Sequence, residues 1–232
     1  MKRKIPISLI IAGVLFFIFK DLFFKNDQAN HNSIFLSTSE TPATINKNPI
    51  QTIDTNQILN NLCERPISNN VSTSAELEII NFVPCSWEQN FEAEKKVDVV
   101  SAYAVADNNG KGVIGMALKM TELPYVVSPQ QRKDFFSIQN IKKVAEEANA
   151  ISARKGLLSG LDCHEIIFKK DNHAEAPEGT AYSIHFETIF KTKYIMLAYT
   201  VGYMDSVESR KIFYQYLPIF KALSQKFKIR DK

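Results

Sequence analysis

The sequence predicts an α+β fold: a mainly antiparallel sheet covered by two helices, preceded by an N-terminal transmembrane helix. Three observations predict it. Short runs of alternating apolar residues recur between residues 77 and 204. Two neighbouring pairs of runs are joined by hairpin-length connections. Two helical patterns with capping signals divide and follow them.

The chain has 232 residues, 45% hydrophobic and 23% charged, which is the composition of a chain that builds a core and not of a disordered one. The net charge of +3 is local. Residues 1–25 carry Lys2, Arg3, Lys4, Lys20 and Lys25 against Asp21, so the remainder is close to neutral. The folded part therefore has no electrostatic footprint for nucleic acid, and none is expected as a partner.

The first segment reads as an address. Three basic residues precede Ile5 to Phe19, an uncharged run, and Leu22, Phe23 and Phe24 extend the apolar stretch past Lys20 and Asp21. Residues 5–24 are about the 20 needed to cross a hydrocarbon core, and Lys20 can snorkel to the headgroups. No small-residue cleavage site follows promptly, which favours an uncleaved signal-anchor over a secreted, cleaved form. The basic cluster places the N-terminus in the cytoplasm and the rest outside it. The domain organisation expected is a signal-anchor over 1–25, a polar tether over 26–57 and a single extracytoplasmic domain over 58–232. The tether is rich in Asn, Thr, Ser and Gln and spans roughly 30 Å as a flexible coil.

Within the domain, Leu77 to Val83 is a short strand. Val97 to Ala106 and Val113 to Met120 flank Asn109-Gly110, a hairpin signal because a type I′ turn needs positive φ at both central positions. In the second of these strands Ile114, Met116, Leu118 and Met120 share one buried face. Ser128, Pro129 and Gln131 then supply a capping box with proline at the first helical position. Phe135, Ile138, Ile141, Ala145, Ala148 and Ile151 continue one apolar stripe, and Gly156 suits a left-handed stop, so one helix is expected from Ser128 to about Lys155. Strands follow at Cys163 to Phe168, Tyr182 to Phe190 and Tyr194 to Met204. Lys169 to Gly179 reads as an exposed loop, and Lys191 to Lys193 as a tight turn. A final helix starts at Asp205-Ser-Val-Glu208 and should kink or break at Pro218, and Phe227 to Ile229 adds a closing strand.

This order, with Pro84-Cys-Ser-Trp87 after the first strand, Glu122-Leu-Pro124 ending the hairpin, Leu158-Ser-Gly-Leu-Asp162, the YSIHFETIF and YIMLAYTVGY hairpin, and the closing Phe213 to Ile229, resembles the PsbP-like α/β/α sandwich superfamily over roughly residues 75–230. The resemblance implies the fold. It also implies a binding or assembly module, because the superfamily offers no catalytic motif to carry over.

Few residues carry chemistry. Cys63 and Cys85 could pair in an oxidising compartment and close a loop of about 20 residues; the alternative is that all three cysteines are small buried apolar residues, with Cys163 free in either case. Cys163 and His164 are adjacent on a strand, so they point to opposite faces and do not form a nucleophile–base pair. His185 and Glu187 share a strand face and are weak metal candidates needing a third ligand such as His173 or His164; the bland reading is a polar sheet face. Trp87 is either an interface anchor or core packing. Glu146, Glu147 and Asp162 read as solvated charges. No phosphate-binding or nucleophile motif is present in the sequence, and no cofactor is expected. The sequence thus points to a non-enzymatic, membrane-anchored binding or assembly module with a protein partner. A small-molecule or metal-binding envelope protein, and an enzyme with an unrecognised site, are the alternatives.

Overall fold

A computed structural model of the chain describes residues 53–67, 77–106, 111–173 and 176–231. The anticipated anchor, nearly all of the tether and the Asn109-Gly110 turn lie outside these residues. Among the described residues no helix is long and apolar enough to cross a membrane.

The elements run α1 (Thr55–Asn60), β1 (Leu62–Pro66), β2 (Leu77–Pro84), β3 (Glu88–Gln89), α2 (Phe91–Glu94), β4 (Val99–Ala106), β5 (Gly112–Glu122), α3 (Pro129–Phe135), α4 (Ile138–Glu147), β6 (Ser152–Leu158), β7 (Leu161–His173), β8 (Ala176–Phe190), β9 (Lys193–Tyr203), α5 (Ser206–Lys226) and β10 (Lys228–Asp231). One sheet has three strands in the order β1-β2-β10; the other has seven, in the order β3-β4-β5-β9-β8-β7-β6. Every described pairing is antiparallel. The fold is α+β with mainly antiparallel sheets, as the alternating runs predict.

Strand alternation divides the large sheet into two unlike faces. On one, Leu118, Leu197, Phe186 and Glu165 follow one another across β5, β9, β8 and β7. This face and α5 form the main core, together with Trp87, Phe213, Phe220, Leu223 and the small sheet's Leu77, Ile79, Val83 and Ile229. Ile114, Met116, Leu118 and Met120 are all buried there, as their spacing requires. Glu165 is the one acid in this row; Arg154 at 2.8 Å and Lys221 of α5 at 3.0 Å neutralise it. The other face carries a smaller apolar cluster, in which Phe135, Phe136 and Val144 of the α3–α4 segment meet Ile166, Phe168, Ile189, Tyr194 and Met196.

Four expectations are corrected. The helix expected from Ser128 to Lys155 is two helices and a strand. The capping box at Ser128 forms, but α3 stops at Phe136, and the Ser137 hydroxyl accepts from Asn140 N–H to cap a second start. Asn149, not Gly156, takes the left-handed stop, at φ 50°. Gly156 sits in edge strand β6, where an added Cβ would lie 3.3 Å from the Cys163 sulfur. The stripe at Ile151 was read through a helix end into a strand.

The expected loop at Lys169 to Gly179 is instead mostly ladder. Strand β7 runs on to His173 and β8 starts at Ala176, with an irregularity between Asp171 and His173. Cross-strand bonds held that polar segment extended where composition suggested a loop. Helix α5 passes unbroken through Pro218, because the proline is on the exposed side, where solvent can serve the carbonyl it frees. The tether's expected end at residue 57 is also too late, since α1 starts at Thr55 with its first turn capped by Asp54.

Candidate functional site

The break between α3 and α4 builds the site. Because α3 does not continue, the carbonyl of Phe135 is left without a full helical partner. It accepts from the Asn140 side-chain amide at 2.8 Å and from His164 Nε2 at 2.8 Å. Arg132 of α3 donates to the carbonyl of Ile189 and ties the same helix to β8. The Phe135 and Phe136 rings pack against the His164 ring with centroids 4.4 and 5.1 Å away.

His164 of β7 lies directly across from Glu187 of β8, and His185 lies two residues before Glu187 on the same face. Both imidazoles aim Nδ1 at the carboxylate: His164 Nδ1 is 3.8 Å from Oε2 and His185 Nδ1 is 3.7 Å from Oε1. The His185 ring is packed on Phe168 at 4.7 Å. Exposure is 0% for His164 and Glu187 and 3% for His185, so the cluster is sealed from solvent.

Burial alone would raise the Glu187 carboxyl above its ordinary value of 4.5. The facing imidazoles of His164 and His185 outweigh that and hold it at about 2. Tyr194 of β9 is pushed the other way, well above 10, first by burial and then by the neighbouring Glu187 charge. Its hydroxyl keeps its proton beside the Glu187 carboxylate.

The two metal candidates from the sequence, His185 and Glu187, are thus brought together, with His164 as the third member. Among the described residues no group of three or more His, Cys, Asp or Glu is disposed to hold a metal ion. The His173 side chain lies outside the described residues. The link the sequence reading left unmade was His164 to the carbonyl of Phe135, because it depends on where one helix stops.

Cys163 points to the opposite face from His164, into the main core. Its thiol is pushed up to about 12, first by burial and then by the nearby acids Glu165, Glu187 and Asp162. Cys63 and Cys85 are joined in a disulfide with Cα atoms 4.9 Å apart, linking β1 to the end of β2. Trp87, weighed as an interface anchor, is 3% exposed and packed in the main core; it presents almost no surface to a partner. Asp162 pairs with Lys155 at 2.9 Å and Glu147 with Lys143 at 3.7 Å, both near the surface.

No protein-family model and no curated protein matches this chain. Among solved structures, the chain is similar to LpqN of Mycobacterium tuberculosis, a protein described as involved in cell envelope biogenesis. The identity is 13% and the TM-score 0.41, over 78% of this chain and 99% of that one. It is also similar to a Bacteroides thetaiotaomicron protein at 10% identity and TM-score 0.34, over 68% of this chain and 46% of the other. Neither is described as PsbP-like.

Proposed function

We propose that the chain is a non-enzymatic, membrane-anchored extracytoplasmic protein whose folded part binds a protein partner. The observation that carries this reading is the Cys63–Cys85 disulfide. Such bonds persist in oxidising compartments, and here one lies close to the point where the tether enters the fold. The basic triplet and apolar run over residues 1–24 supply a matching route across a membrane. The N-terminal segment is the anchor, the polar residues up to Ile53 are the tether, and the remainder is one domain, supported by the core that both sheets share.

The buried cluster supports a structural rather than a catalytic assignment. A general acid or base must reach the proton it moves on a substrate, and these side chains are sealed under α3. The surface offers apolar contacts instead. Phe91 at the start of α2 and Val97 just beyond it stand 64% and 76% exposed. A partner at the membrane would be met at raised local concentration because of the tether.

The test is crosslinking and capture from intact membranes, with full-length protein against a deletion of Met1 to Phe24. One specific partner, lost with the deletion, is the expected result. Full-length protein that enriches no protein would sink the partner-binding reading.

A further inference from the structure

We infer that the tether segment Ser33 to Ser39 adds as a further strand to the open edge of β6, and so ties the leading chain to the seven-stranded sheet. The added strand is independent of the partner-binding reading.

The large sheet ends in two unlike edges. At one, β3 is two residues long and pairs with Tyr103 and Ala104 of β4. At the other, β6 runs from Ser152 to Leu158 and is paired along its whole length with β7 on one side. Among the described residues no strand pairs with its other side. In an antiparallel ladder alternate residues of an edge strand turn their N–H and C=O outward. Strand β6 therefore offers a row of main-chain donors and acceptors to another extended chain.

The side chains at this edge admit an uncharged strand. Arg154 and Lys155 are the charges of β6, and each is already paired, with Glu165 at 2.8 Å and with Asp162 at 2.9 Å. Leu157, Ile151 just ahead of the strand and Ile138 at the start of α4 are exposed apolar side chains. Ala153 packs in the α3–α4 cluster, so Leu157 lies by alternation on that same face and Arg154 on the other.

The chain itself holds a matching occupant. Ile34-Phe35-Leu36 is the longest apolar run between residues 26 and 52, and Ser33 to Ser39 carries no charge, proline or glycine. The segment equals the 7 residues of β6 in length. As a strand it turns Ile34 and Leu36 to one face, where they cover Leu157 and Ile138. Phe35 then falls on the other, over the exposed stem of Arg154. A second copy is a poorer occupant, because antiparallel pairing of β6 with itself sets Arg154 and Lys155 against the same cations of the other copy.

Reach is sufficient. Residues 40–52 span roughly 45 Å when extended. Helix α1, near the start of the described chain, packs on α5, and α5 also meets β6. Helix α5 is about 30 Å long, so both of its ends lie within that reach. The connection holds the segment near β6 at an effective concentration on the order of millimolar, so a weak intrinsic affinity is enough to seat it. With the proposed anchor in a membrane, the seated strand leaves residues 26–32 to bridge anchor and sheet, roughly 25 Å at full extension.

The experiment uses purified full-length protein in detergent micelles with no partner present, so its failure leaves the partner-binding reading standing. Amide hydrogen exchange is compared between the unmodified protein and an Ile34→Pro/Phe35→Pro variant. Whichever of these two adjacent amides faces β6, the paired prolines remove it, and both lie well ahead of α1 in sequence. In the unmodified protein residues 33–39 should exchange at least about tenfold more slowly than residues 40–52, after correction for intrinsic rates. In the variant that protection should vanish, and exchange over residues 152–158 should rise while β9 is unchanged. Residues 33–39 that exchange as fast as 40–52, or equal exchange over 152–158 in the two proteins, would overturn the inference. Protection of 152–158 that grows with protein concentration equally in both would overturn it too, and would assign the edge to a second copy.

Discussion

The Tyr199 ring of β9 and the Phe220 ring of α5 stack with centroids 5.0 Å apart and planes 10° from parallel. Both side chains are fully buried, and the stack seats α5 on the middle of the large sheet. Phe220→Ala should therefore cost about 3–5 kcal/mol, as truncation of a core phenylalanine does. A urea melt reads this as a lower midpoint with an unchanged slope. A loss under about 1 kcal/mol would mean that α5 is not seated by this contact.

The disulfide gives a second prediction. Breaking the Cys63–Cys85 bond, by reductant or by paired Cys→Ser changes, should cost about 3 kcal/mol, because the freed segment gains conformational entropy when unfolded. Thiol labelling checks the pairing itself. Under denaturing, non-reducing conditions one cysteine, Cys163, should react. In the folded protein it should not, because it is buried and its thiol is pushed up to about 12. Three reactive thiols in the unfolded, non-reduced chain would contradict the bond.

Acid should destabilise the fold through Glu187. Its carboxyl is held at about 2 in the folded protein against 4.5 in the free residue, so the stability it contributes is fully present above 4.5. That contribution is lost progressively as pH falls from 4.5 towards 2, because the unfolded chain takes up the proton first. Urea midpoints measured across this interval should fall, and the Glu187→Gln variant should fall less steeply. Parallel curves for the two proteins would remove Glu187 from the account.

The second helix start is also testable. Ser137→Ala removes the hydroxyl that accepts from Asn140 N–H, at a cost of about 1 kcal/mol. Because the α3–α4 junction carries the Phe135 carbonyl, the same change should raise hydrogen exchange around residues 135–141 more than in β9. Uniform exchange changes would place the cap's role elsewhere.

The strand faces were readable because strict alternation of Ile114, Met116, Leu118 and Met120 leaves one arrangement that buries them all. Helix ends were less readable. Ile151 continued the spacing set by Phe135 and Ile138, yet the chain had already turned at Asn149 and entered β6. Periodicity does not mark a stop when a strand residue happens to fall on the same angular row. The candidate site was half legible for a related reason. His185 and Glu187 are two apart on one strand, so their shared face follows from local geometry. His164 joins them only through the register of β7 against β8, and part of the segment that connects those strands read as a loop. Register is a property of paired strands, and a single strand's sequence does not contain it.

The crosslink between Cys63 and Cys85 also decides how the fold answers a mechanical pull. Tension on the chain ahead of Ile53 runs through α1 and arrives at Cys63 in β1. There the sulfur bridge passes the load straight to Cys85, and the intervening stretch, the bridged positions being 22 apart in sequence, is shielded from it. Under force α1, which packs against α5, would peel away first, and extension would then halt at the bridge. In a reducing environment the same pull would go on to unzip β1 from β2. The bond therefore works as a stop that limits how far the leading end of the fold lengthens before the core is loaded.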